Sequence, residues 1–379
     1  MIVFHSRSHK ATSKNPFKGG HKDGIISRVI GMGNQVIMFG ADVQLARLTK
    51  LGDPLEKRNA AVDWEIFRVP IRKRIRKEDY SKGGRPPMDE ILMFKITLLQ
   101  DWNNISDDNA EYLINDRLSF QRFLGMELGE KSPDAKTIWL FKEKFGKEGM
   151  RELFDLFNEK LQALGVVKRE GSLIDATFVE VPRQRNTREE NATIKGGEVP
   201  EEWQKPENAN KLEQKDTDAR WAKKGNETFY GYKDHVKVDN DSKIIIDFSV
   251  TSANVHDVNE FDGLIDVNDK EAWLDAGYAS AEHVAAIMKK YPDIILHICE
   301  KGQKNKPLTD EQKETNRTKA KVRSRVEHVF GYITRFMGGI YIRTIGKERA
   351  EREICGMNLA YNLKRIAFLV NSKRIPAIS

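Results

Sequence analysis

Near residue 165 the apolar residues of this chain stop recurring every three or four positions and begin to alternate, and that change of period separates two kinds of architecture. Before it, Leu45, Leu48, Leu51 and Leu55 fall at helical spacing, interrupted by Gly52-Asp53-Pro54, and Val62, Ile66 and Phe67 open a second stripe. Ile91, Phe94, Leu98 and Trp102 share one face of a helix with Pro87 near its first turn. Ser106 is placed to cap the next helix, and Ser132-Pro133-Asp134 opens a third, with Ser132 as the cap and Pro133 as the first helical residue. Met150, Leu153, Phe154, Phe157, Leu161 and Leu164 form the inward face of a fourth across 147–164. Residues 36–164 are therefore expected to be an all-helical domain, and residues 165–379 a second one.

Beyond residue 165, Leu173–Val179, Phe229–Val238 and Lys243–Val250 read as strands, the last two joined by a turn at Asp239–Ser242. A helix near 257–266, a short strand Ala272–Asp275, a helix across 280–290 and a strand Ile294–Cys299 follow, and roughly 309–370 is helical. Strands first, then alternation, then helices point to α/β mixed architecture, a mixed sheet with helices packed on it. Residues 183–226 interrupt the sheet between its first two strands. They are polar and nearly charge-balanced, and a connection that long is usually functional or disordered.

The formal net charge is +7 with 32% charged residues, an excess that suits a polyanionic partner, nucleic acid first, although a well-solvated surface gives the same totals. Residues 1–35 read as a disordered basic arm, and Met32 or Met38 offers an alternative start behind it. Arg68–Arg85 is a further basic stretch. Two distant cysteines, Cys299 and Cys355, argue for a reducing cytosol and against a disulfide framework or a cysteine zinc site. No apolar run reaches membrane-spanning length, and no secretory signal follows the basic start. A cytoplasmic protein with no membrane partner is expected.

Three carboxylates carry the chemistry. Asp175 sits inside an apolar strand, where a carboxylate is costly unless paired or metal-bound. Asp275 ends a second apolar strand, and Glu327 lies on a helix one turn after Arg323. Singly, such an Asp is most often a cap or an ion-pair partner, and such a Glu a solvated residue. Together, acids at two adjacent strand ends and on one facing helix converge on a point. Hard oxygen ligands there suit two Mg²⁺ ions, with Mn²⁺ able to substitute. Such a pair activates a water or a 3′-hydroxyl and stabilises the leaving oxygen of a phosphodiester.

At these residues the chain resembles the DDE transposases of bacterial insertion sequences, in particular the insertion-sequence-five group of the insertion-sequence-four superfamily, from about Val36 to Phe368. Gly84-Arg85-Pro86-Pro87-Met88 is similar to the helical N-terminal domain, and Asp175-Ala176-Thr177 with Val181-Pro182 to the first-Asp block. Gln214–Trp221, Tyr230-Gly231-Tyr232-Lys233 with His235, Ala253–Asp257 and Asp275-Ala276-Gly277-Tyr278 resemble the blocks that lead to and carry the second Asp. Arg323 and Glu327 fit the Y-x₂-R-x₃-E-x₆-K pattern. Ala320 and Thr334 replace its tyrosine and lysine, and Arg335 follows one residue late. The resemblance implies an RNase H-like catalytic domain and metal-dependent cleavage and strand transfer at the terminal inverted repeats of a mobile element. It also implies a homodimer or larger assembly on double-stranded terminal and target DNA.

The DNA-facing set expected around the acids is Arg323, Lys319, Lys233, His256, Tyr278, Arg335 and Arg85. His235 and His256 are either phosphate contacts, or partners of a metal carboxylate, or core histidines bonded to backbone, and Asp257 stands where it could orient His256. Tyr278 either stacks on a nucleotide or covers the sheet end. Lys233 faces either the site or solvent. Trp203 and Trp221 either pack or stack on bases. Two other readings stay open: a catalytically inactive DNA-binding relic or domesticated copy, and an RNase H-like nuclease without joining activity.

Overall fold

The computed structural model describes residues 40–75, 87–278, 280–302 and 307–378. Residues 1–35, read as a basic arm, lie outside the described residues. Met1–Leu51 and Gly52–Ser379 are separate compact units, and the described part of the first is helix α1, over 40–51.

In the second unit α2 (Pro54–Ala61), α3 (Arg68–Ile75), α4 (Glu90–Asn103), α5 (Asp107–Asp116), α6 (Leu118–Leu124) and α7 (Ala135–Ala163) come first. α4 is buried on nearly every side, as befits a helix apolar all round. Glu90 pairs with Arg68 and Arg72, and Lys95 donates to Asn59 Oδ1 and the Phe123 carbonyl. Ser106 caps α5 as expected. Two other starts differ from the sequence reading. α4 is capped by Asp89, which accepts from the Ile91 and Leu92 N–H groups, so Pro87 precedes the helix. α7 is capped by Asp134, which accepts from Thr137 N, while the Ser132 hydroxyl accepts from Asn115. The third and fourth expected helices are the two arms of α7, broken at Gly146 (φ 68°, ψ −179°).

β1 (Ser172–Glu180), β2 (Arg220–Lys224), β3 (Glu227–Asp239), β4 (Ile245–Ser252), β5 (Glu271–Leu274) and β6 (Ile295–Ile298) make one mixed sheet. β3 runs antiparallel to β1 on one side and to β4, then β2, on the other; β5 and β6 continue beyond β1 in parallel. The spatial order β4-β3-β1-β5-β6, two antiparallel pairings followed by two parallel ones, is that of an RNase H-like sheet. The 183–226 connection is folded: α8 (Arg188–Lys195), α9 (Glu201–Gln204) and α10 (Ala209–Glu213) lead to β2. Trp203 is fully buried there and donates to Glu190, so it packs; Trp221 is half exposed against Tyr230.

Side chains alternate across the sheet. One face, with Leu173, Val179, Val236 and Val238, shares a core with the helices; α11 (Phe261–Leu264) and α12 (Ala281–Lys290) help cover the other through Ile174, Phe261, Leu274 and Ile287. α13 (Asp310–Phe336) starts at a capping box, Thr309 with Gln312, and packs on β1 and β5. α14 (Lys347–Asn371) packs on α7, α4, α2 and β4. Asn362 of α14 both accepts from and donates to the Ile245 backbone, and Asn158 and Arg151 of α7 reach the Ile245 and Phe248 carbonyls. Side chains thereby occupy a sheet edge that would otherwise invite another strand. No helix among the described residues is long and apolar enough to cross a membrane.

Candidate active site

β1 and β5 lie in parallel register, Leu173 beside Trp273. Two residues further along each chain Asp175 and Asp275 therefore emerge side by side on the same face, since period-two alternation returns both to the side of their partners. α13 crosses that face and brings Arg323 and Glu327, one helical turn apart, over Asp175. Arg323 Nη1 lies 2.7 Å from Asp175 Oδ2, and Nη2 lies 3.7 Å from Glu327 Oε1. The other Asp175 oxygen accepts from Ala176 N at 2.9 Å, and Asp275 Oδ1 accepts from Ala276 N at 2.7 Å.

Burial raises the Asp175 pKa above the usual carboxylate range, and the negative charge of Asp275 adds to that. The Ala176 N–H, Arg323 and Lys224 act in the opposite sense. Lys224, at the tip of the β2–β3 hairpin, is not in the set expected from sequence. It reaches the acids electrostatically because β3 turns at Gly231 (φ 148°), where a Cβ would stand 2.2 Å from the Val179 carbonyl oxygen. Beyond that point Phe229 stacks on Phe178 at 4.3 Å, folding the hairpin back. Only the pairing of β2 with β3 carries Lys224 there, and no local motif announces it.

The donor set fits a hard divalent ion: three carboxylates, two of them exposed, with no sulfur or imidazole among them. Glu327 connects to Asp175 through the Arg323 guanidinium, and among the described residues no three acidic, histidine or cysteine groups gather at ligand distance. Arg323 is thus the resident cation among the three acids.

The other expected DNA-facing residues are spread out. Lys319 donates to the Ile298 carbonyl at 2.8 Å. Lys233 lies on the sheet face opposite Asp175, bonded to the Val255 carbonyl and to Asp257, each at 2.7 Å. Asp257 therefore holds Lys233 and does not orient His256, which is exposed beside it. His235 is the core histidine, fully buried, with Nε2 2.8 Å from Thr251 Oγ1; burial lowers its pKa. Tyr278 takes the second of its two readings: it is 1% exposed and edge-on to Phe261, so it covers the sheet end and leaves no face for a base. Its unpartnered hydroxyl has its pKa raised by burial, then by Asp257, Asp175, Asp275 and Glu260. Arg335 is exposed on α13, and Arg85 lies outside the described residues.

An RNase H-like sheet with aspartates side by side on adjacent strands, one within β1 and one just past β5, defines an enzyme class that works on phosphodiesters. Residues 167–363 match the family model described as Transposase DDE domain, and residues 43–144 match that described as Transposase domain (DUF772). The chain belongs to the DDE transposase family and is a DNA transposase; the family uses divalent metal ions. The cryo-EM structure of a piggyBac transposase synaptic complex with hairpin DNA is similar at a TM-score of 0.41 and 11% identity, over 86% of this chain and 77% of that one.

Proposed function

We propose that Asp175, Asp275 and Glu327 hold two Mg²⁺ ions, replaceable by Mn²⁺, and that the chain cuts and joins DNA strands at the terminal inverted repeats of an insertion sequence. The observation that carries this reading is the parallel register of β1 and β5, which sets Asp175 beside Asp275 under α13. When bound, the ions supply Lewis acidity for the attacking and leaving oxygens of a phosphodiester. Asp175, reached by both Asp275 and Arg323, is the central ligand, and Asp275 and Glu327 are the outer ones. Arg323 offsets part of the acids' negative charge in the free protein, and its guanidinium is free to pair with a DNA phosphate once it leaves Asp175. Lys319 and Arg335, on the same helix, contact the DNA backbone and position it without reading its sequence. Joining requires two DNA ends at once, so the working form is a homodimer or larger assembly on DNA in the bacterial cytoplasm.

Linear duplex ending in the element's repeats, incubated with Mg²⁺ and the full chain, is expected to be cleaved at the repeat ends and joined to a target duplex. Asp175→Ala and Asp275→Ala are expected to reduce both products to background. Equal cleavage by wild type and Asp175→Ala would refute the assignment, and cleavage without transfer of a 3′-hydroxyl would leave only a nuclease.

A further inference from the structure

A groove of ≈ 610 Å³ starts at Glu327 and runs between α13 and α14. Its walls include Lys243, Arg335, Lys364 and Arg365, and none of these four forms an ion pair among the described residues. Among the described residues the one acid lining it is Glu327, which already faces Arg323. Lys364 and Arg365 donate instead to carbonyls, of Phe336 at 3.0 Å and Ser242 at 2.8 Å. Burial and neighbouring arginines disfavour the charge on two of them. Burial and then Arg58 push Lys364 down to about 8, and burial and then Arg365, Arg325 and Arg374 lower Lys243. Lys243 takes up its place with a left-handed backbone, φ 60°.

The same walls carry aromatic rings that face solvent. Phe336 is 62% and Phe368 52% exposed, and Tyr332 lies between them and the acid end. Lys364 stands 4.6 Å from the Tyr332 ring centroid and Arg365 5.1 Å from that of Phe368, so charge and ring are interleaved.

An apolar helix would cover the rings but strip water from four unmatched cations. A small anion would satisfy the cations and leave the rings wet. A nucleic-acid strand offers phosphates to the first and base faces to the second, provided the bases are not stacked in a duplex. From Glu327 to Arg335 the groove follows eight residues of α13, about 12 Å at the helical rise. That is roughly three nucleotides at duplex spacing. We propose that this groove binds a short unstacked stretch of DNA strand leading to or from the phosphate at the three acids. The direction of travel rests on the reading of Glu327 as a site residue; the binding itself does not.

The test uses the full chain without divalent metal, so no strand is cut. The probes are a fluorescein-labelled oligothymidine of about 12 nucleotides and a hairpin-closed duplex of equal length, followed by anisotropy. Phe336→Ala combined with Phe368→Ala, both at exposed positions, is expected to weaken oligothymidine binding roughly tenfold or more. Duplex binding should change less than about twofold. Lys364→Ala should reduce the salt dependence of oligothymidine binding by about 0.7 in log–log slope, as expected for one lost phosphate contact. Unchanged oligothymidine affinity in the double variant would overturn the proposal. So would an equal loss on the duplex, which would make the groove a track for paired DNA, or a loss of self-association in place of DNA binding. Failure of the metal-site reading would show in the cleavage assay alone, and failure of the groove in this one.

Discussion

Asp234 offers a quantitative check on the core that supports the site. It is fully buried on β3, with Asn358 Nδ2 donating to Oδ1 at 3.2 Å and Oδ2 unpartnered. Burial pushes its pKa from an ordinary 3.8 up to about 7, only partly offset by the Asn358 hydrogen bond. The folded chain therefore keeps a proton that the unfolded chain releases. The stability associated with this group is fully present below about pH 4. It falls by about 1.4 kcal/mol per pH unit as pH rises towards 7, and then levels off. The whole loss is about 4 kcal/mol, of which about 2.5 kcal/mol falls between pH 5 and pH 8. Asp234→Asn keeps the shape and an acceptor for Asn358 but cannot ionise. Urea unfolding followed by tryptophan fluorescence, on both proteins from pH 5 to pH 8, should show the variant gaining on the wild type by that amount. All other titrations cancel in the difference. Parallel stability curves would mean that Asp234 is already ionised in the folded chain at pH 5, and would refute the reasoning.

Two further outcomes are expected. Lys237 is fully buried between Asp266 (2.9 Å) and Asp269 (2.5 Å), so Lys237→Met should cost about 3–5 kcal/mol by stranding the buried Asp269 carboxylate, and adding Asp269→Leu should recover part of it; an unchanged unfolding midpoint for Lys237→Met would contradict the pairing. Arg323→Gln removes the cation now between Asp175 and Glu327, so Mn²⁺ titrated into the free protein and followed by electron paramagnetic resonance should bind several-fold more tightly; equal or weaker binding would show that the guanidinium does not compete with the ion.

The strands that build the sheet are legible in the sequence because β1, β3 and β4 alternate or run apolar, and the aspartates within β1 and just past β5 stand out against that background. Helix starts are less so. Ser132 and Asp134 both have the chemistry of a cap; Asp134 takes the role, while the Ser132 hydroxyl accepts from Asn115 of another helix. β2 has no alternation of its own and exists through its pairing with β3, so the folded insert and the approach of Lys224 are invisible locally. Tyr278 has the sequence setting of a free aromatic beside an acid. Its burial is decided by Phe261 and the neighbouring core, contacts that residue spacing cannot report. The four-residue spacing of Arg323 and Glu327 is plain in the sequence, but the hold of Arg323 on Asp175 spans 148 residues.

The placement of α14 bears on how the molecule comes into being. Trp102 of α4 donates its indole N–H to the Ala360 carbonyl, 258 residues later, and the same helix closes the free edge of β4 through Asn362. A ribosome adding about 5–20 residues per second would have both the early helices and the sheet waiting for α14. Neither half can complete its interior alone, so the chain should gain its cooperative fold only once α14 has emerged. Fragments ending before α14 should then be targets for proteases and chaperones, and poor competitors for the intact protein.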